Sequence, residues 1–129
     1  MADVNELSER GLRRRKRMLG EAQVEGRMAA AGDFGAPLQH VINAYVYGEV
    51  WERSGLSDQI RSLIMLAITA ASGKPAEFRV HMQGARANGC TPAQVQDLLL
   101  LVAMYCGIPA ALEPNRIAAE IFGEVPPSG

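Results

Sequence analysis

The chain has 129 residues, 48% of them apolar and 21% charged, with a formal net charge of −1. This fits one domain with a packed core, and it argues against global disorder and against whole-protein attraction to nucleic acid or an anionic membrane. No apolar run approaches the roughly 18 residues that cross a bilayer. The charged stretch through Arg17 also lacks a signal-peptide core, so a soluble cytoplasmic protein is expected.

In chain order, apolar spacing predicts helices and no strand of useful length. Residues 4–31 read as one or two amphipathic helices with a break at Gly20. Gly32-Asp33 ends that segment, and Pro37 sits in the first turn of a helix to about Tyr47, with Leu38, Ile42 and Tyr45 on one face. Gly48 to Leu56 reads as a connector. Ser57 then caps a helix over about 58–72, so apolar at its centre that neighbours are expected on every side. A helix over about 75–88 stops at Asn88-Gly89, and Thr91-Pro92-Ala93-Gln94 opens the next with a capping box and proline at N1. Gly107 and Pro109 end that helix, and the last runs over about 110–122.

The domain expectation is therefore a single unit over 1–129, with its core at about 33–122, a helical segment at 1–31 and a loose tail at 124–129. The helices at 58–72 and 92–106 carry more apolar surface than a domain of this size covers alone, which predicts a homo-oligomer.

Glu77-Phe78-Arg79-Val80-His81 is the most informative pattern. Glu77 and His81 are four apart, on one helical face, and a carboxylate beside an imidazole suits proton transfer near neutral pH. A structural ion pair has the same spacing. Tyr45, Glu49, Trp51 and Arg53 mix acid, cation and aromatics around the expected connector, where they either serve a site or fill the edge of the core. Arg61 starts the apolar helix and needs a partner, which is either a glutamate or a substrate carboxylate. The run from Arg10 to Arg17 is interrupted by no aromatic and flanked by Glu6, Glu9, Glu21 and Glu25, so it reads as a solvated helix face. Cys90 and Cys106 are too few for a zinc or disulfide framework and are expected as buried, reduced thiols. His40 and His81 alone do not make a metal site, and no phosphate loop or dinucleotide fingerprint is present.

The ordered words Gly48-Glu49-Val50-Trp51-Glu52-Arg53, Gly55-Leu56, Arg61-Ser62-Leu63, Glu77-Phe78-Arg79-Val80-His81, Ala87-Asn88-Gly89-Cys90-Thr91 and Tyr105-Cys106-Gly107-Ile108-Pro109-Ala110-Ala111 together resemble the carboxymuconolactone decarboxylase family, within the alkylhydroperoxidase D-like superfamily. The resemblance implies an all-α, compact bundle of about six helices whose subunits interlock, commonly as a hexamer, with a trimer as the alternative. It also implies decarboxylation of γ-carboxymuconolactone to β-ketoadipate enol-lactone, with no organic cofactor and no metal. The superfamily's peroxidases carry C-x-x-C four residues before their histidine. Here those places hold Lys74 and Glu77, so that redox motif is absent.

On this resemblance His81 is expected as proton donor or oxyanion partner, with Glu77 orienting it and Glu49 shuttling a proton or crowding the departing carboxylate. Arg53 or Arg61 would hold a substrate carboxylate, and Trp51 and Tyr45 would wall the pocket. The chain departs from the family at Ser54, where proline is usual, and at Glu113-Pro114-Asn115-Arg116, where Glu-Ala-Phe-Arg is usual. The second departure removes an aromatic and adds a proline expected at a helix start, so another small anionic substrate is the alternative. A non-catalytic helical assembly or ligand-binding protein is a further one.

Overall fold

The computed structural model describes residues 3–124, so the tail expected over 124–129 lies, beyond Glu124, outside the described residues. The described chain is all-α, without a strand: α1 (Val4–Leu19), α2 (Glu21–Val41), a π-helical segment (Ile42–Val50), α3 (Asp58–Ala71), α4 (Pro75–Ala87), α5 (Pro92–Cys106) and α6 (Ile108–Gly123). These elements form two compact units, the first ending at Leu56 and the second beginning at Ser57.

In the first unit, Asp3 caps α1 by accepting from the Asn5 amide at 3.1 Å, and Gly20 separates α1 from α2 as expected. Gly32 has φ 60° and ψ −163°, a non-helical conformation open to glycine, and it divides α2 into two helical stretches where the sequence places the end of the first segment. The helix then widens instead of stopping near Tyr47. The π segment closes when the Trp51 amide donates to the Val46 carbonyl five residues back, at 2.8 Å. Gly48, Glu49 and Val50 are thus helical, and the connector begins only at Trp51.

Two glycines explain how closely α1 meets the π segment. A Cβ on Gly11 would lie 1.5 Å from the Asn43 carbonyl oxygen, and one on Gly48 would lie 2.4 Å from that of Leu7. The two backbones touch, so no larger residue fits at either place. This contact buries Leu7, Met18, Val24, Ala44, Tyr47 and Trp51. Of the face expected from Leu38, Ile42 and Tyr45, Leu38 and Tyr45 are instead exposed and Ile42 is half-buried. Widening the turn to five residues brings Asn43, Ala44, Tyr47 and Gly48 inward in its place.

The second unit begins where the Ser57 hydroxyl accepts from the Ile60 amide at 3.2 Å. The capping box of α5 forms as read: Thr91 Oγ1 accepts from the Gln94 amide at 3.2 Å, and Gln94 Oε1 accepts from the Thr91 amide at 2.9 Å. Gly107, at φ 98°, joins α5 directly to α6. The core gathers Leu66 of α3, Phe78 and Met82 of α4, Val95 of α5, and Ile117 and Ile121 of α6. Each such side chain contributes about 1.5–3 kcal/mol on burial.

Helix α3 is not covered all round. Its neighbours α4, α5 and α6 lie on the face of Leu66 and Ala70, while Ile60, Ile64 and Ile68, spaced four apart, stay exposed. The last helix starts at Ile108 with Pro109 in its first turn, so Pro114 is a buried interior residue rather than a helix start. Lacking an N–H, Pro114 leaves the Ala110 carbonyl without its usual helical donor.

Candidate active site

Phe78, Met82 and Ala85 are fully buried in the core of the second unit and fix the rotation of α4. That setting leaves Glu77 and His81 together on the neighbouring strip, with Glu77 half-buried and His81 only 8% exposed. Pro75 opens the helix, so the Glu77 carboxylate stands in its first turn, where the unpaired amides and the helix dipole favour negative charge. Arg61 is half-buried on α3, the helix that packs against α4.

The remaining charge of this word turns elsewhere. Arg79 donates two parallel bonds to the Glu120 carboxylate of α6, at 3.1 and 3.2 Å. Arg116 bonds the same carboxylate at 3.3 Å and also pairs with Glu113. Hydrogen bonding to Arg79 holds the Glu120 carboxyl below the usual glutamate range, and Arg116 does the same for Glu113. Glu113 and Arg116 of the departing Glu-Pro-Asn-Arg word thus belong to a surface clasp between α4 and α6.

In the first unit, Tyr45 and Glu49 lie exposed on the π segment, and Arg53 is exposed in the turn after it. Trp51 is buried and stacks on Tyr47, with ring centroids 5.1 Å apart and planes at 25°. Sequence reasoning passed over Tyr47, although its i, i+4 spacing from Trp51 is the signal for such a pair.

The basic run is not simply a solvated face. Arg10 donates to the Gly48 carbonyl at 2.6 Å, and Arg14 lies 3.6 Å from the Glu52 carboxylate. Arg15 is 3% exposed, and its Nη1 donates to Gln39 Oε1 at 2.8 Å and to Asn43 Oδ1 at 3.0 Å. Leu7, Gly11, Arg15 and Met18 form the buried face of α1, so the helical period itself placed Arg15 inward.

Cys90 is buried, with its Sγ 3.6 Å from the Gln59 carbonyl oxygen, and burial pushes its thiol pKa up. Cys106 is exposed at the end of α5, against the expectation that both thiols are buried. Among the described residues, no three His, Cys, Asp or Glu side chains gather to hold a metal ion, and no helix is long and apolar enough to cross a membrane.

Residues 36–120 match the carboxymuconolactone decarboxylase family model. A 4-carboxymuconolactone decarboxylase of Acinetobacter baylyi is 34% identical over 115 residues, covering 89% of this chain and 86% of the relative. A nitrosuccinic acid decarboxylase of Metarhizium robertsii is 31% identical over 123 residues, covering 95% and 86%. The chain belongs to the carboxymuconolactone decarboxylase family, as an enzyme of the carbon–carbon lyase class.

Proposed function

We propose that the protein decarboxylates 4-carboxymuconolactone (γ-carboxymuconolactone) to β-ketoadipate enol-lactone in protocatechuate breakdown, in the cytoplasm and without a cofactor. The reading treats 1–129 as one functional domain. Its main support is the relative named for this reaction, similar over nearly the whole chain. The buried His81, one helical turn after Glu77, supplies a group of the right chemistry.

The bond from the lactone γ carbon to the carboxylate breaks and releases CO₂. Its electron pair moves through the ring double bond onto the lactone carbonyl, giving a dienolate. A proton then arrives at the α carbon. The substrate is its own electron sink, so the protein must anchor it, stabilise the oxyanion and supply the proton.

In this reading His81 is the proton donor or oxyanion partner, and Glu77 orients it. Glu49 shuttles a proton or crowds the departing carboxylate. Arg53 or Arg61 pairs with a substrate carboxylate. Tyr45 and Trp51 wall the pocket and exclude water.

A second reading keeps the reaction class and changes the substrate. The relative named for nitrosuccinic acid favours it, because there too a carboxylate stands beside an electron sink, a nitro group. The Pro114-Asn115 departure favours it as well.

The working form in either reading is a homo-oligomer, a hexamer with a trimer as the alternative. Leu100, Leu101, Met104, Tyr105, Ile108 and Leu112 are each more than 60% exposed in the single chain, a larger apolar surface than soluble monomers usually present.

The deciding experiment follows ultraviolet absorbance and CO₂ release with fresh 4-carboxymuconolactone and, in parallel, nitrosuccinate. Faster turnover of the lactone is expected. Turnover of nitrosuccinate alone moves the assignment to the second reading, and no CO₂ from either compound overturns both substrates.

A further inference from the structure

A cavity of about 200 Å³ lies wholly within the first unit, lined by Ser8 of α1 and by Met28, Ala36, Gln39, His40 and Asn43 of α2 and the π segment. None of these residues is used in the decarboxylation proposed above. At roughly 30 Å³ of liquid volume per water, the space suits a molecule of about five to seven heavy atoms.

Its chemistry is set from behind by Arg15. The buried guanidinium donates through one nitrogen to the carbonyl oxygens of both Gln39 and Asn43. An amide whose oxygen is fixed in this way has its NH₂ directed away from the guanidinium. Asn43 shows the result: its Nδ2 points at the thioether of Met28, another lining residue, at 3.9 Å. A thioether sulfur is a weak acceptor, so that donor gains by meeting a better one. The Gln39 amide, held by the same Arg15 nitrogen, adds a second polarised donor, while the Ser8 hydroxyl and the His40 ring add hydrogen-bonding groups. No carboxylate is among the lining residues. The wall is therefore rich in donors, with a buried cation behind two of them, and such a wall selects an acceptor that carries negative charge.

We infer that this cavity is a binding site for a small monocarboxylate, held by the amide nitrogens of Gln39 and Asn43 and favoured by the Arg15 charge transmitted through those amides. Carboxylate is the fitting class because it has two acceptor oxygens for two NH₂ groups, and its short apolar tail matches Met28 and Ala36.

The test is a titration of the isotopically labelled full-length protein with propionate, followed through the side-chain amide NMR signals of Gln39 and Asn43. Propionamide, of the same shape but neutral, serves as control. Propionate should shift both signals saturably in the millimolar range, and propionamide should shift them at least tenfold less at equal concentration. Gln39→Glu replaces the donor amide with a carboxylate able to pair with Arg15, and it should abolish the Asn43 shift while circular dichroism stays helical. If Gln39→Glu does not fold, Ser8→Ala gives a second arm, expected to weaken propionate binding severalfold. Equal response to the two compounds, a linear response to high concentration, or full propionate binding in Gln39→Glu overturns the inference.

Discussion

At position 81 the sequence supplies a histidine, and the fold supplies its setting. Because Phe78, Met82 and Ala85 lock α4 onto the core, His81 is buried without belonging to the apolar cluster. His81→Gln should lower kcat by about 10²-fold or more if the imidazole moves the proton, with helical content unchanged by circular dichroism. In the proposed mechanism Glu77→Gln should cost less, because there Glu77 orients the imidazole and does not itself donate the proton. Near-normal turnover in folded His81→Gln would remove histidine from the chemistry. That Glu77 and His81 share a face of α4 is legible from spacing alone, since two residues four apart on a helix do so whatever the fold. The burial of Arg15 is equally inscribed, but charge density along the run from Arg10 to Arg17 outweighs the position of one residue on the Leu7, Gly11, Met18 face.

Helix ends are well marked at the scale of elements, because caps are local chemistry. Ser57, Thr91 and Gln94 act as their types require. The π segment is not legible, since its wider turn is set by the contact of α1 at Gly11 and Gly48, which is long-range. Gly11→Ala should therefore destabilise the protein by roughly 1–3 kcal/mol or more, seen as a lower urea midpoint by the fluorescence of Trp51, the only tryptophan. Gly26→Ala, where an added Cβ meets nothing within 4 Å, should instead stabilise α2 by up to about 1 kcal/mol.

The α4–α6 clasp makes a different prediction. The pKa values of Glu113 and Glu120 are depressed in the folded state, so their contribution is present above the unfolded glutamate value, about 4.3, and is lost as pH falls through the folded values. Melting temperature should decline below about pH 4.3 more shallowly in Glu120→Gln than in the parent. Added salt should narrow that difference, because the groups are at the surface.

For the whole molecule, the apolar excess of 58–72 and 92–106 is plain from residue types alone, and in the fold it becomes uncovered Ile60, Ile64 and Ile68 on α3 and the outer face of α5. Composition shows the surplus but not its direction, since a helix apolar on most sides does not say which side lacks a neighbour. If copies of the chain cover these faces, the melting temperature rises with protein concentration, and Leu101→Glu lowers the sedimentation coefficient toward that of a single chain. A parent protein that sediments as a monomer at micromolar concentration overturns the assembly.

The wide turn between Ile42 and Val50 bears on how this chain tolerates change in length. A π segment holds one residue more per turn than an α-helix needs, so it behaves as an insertion already absorbed by the fold. Deleting one residue there restores ordinary i→i−4 pairing and keeps the residues beyond the wide turn in their present register, while the residues inside it change their setting. Relatives that differ by one residue in this stretch would keep the scaffold and present different side chains from it, so here a gap in an alignment is a change of address.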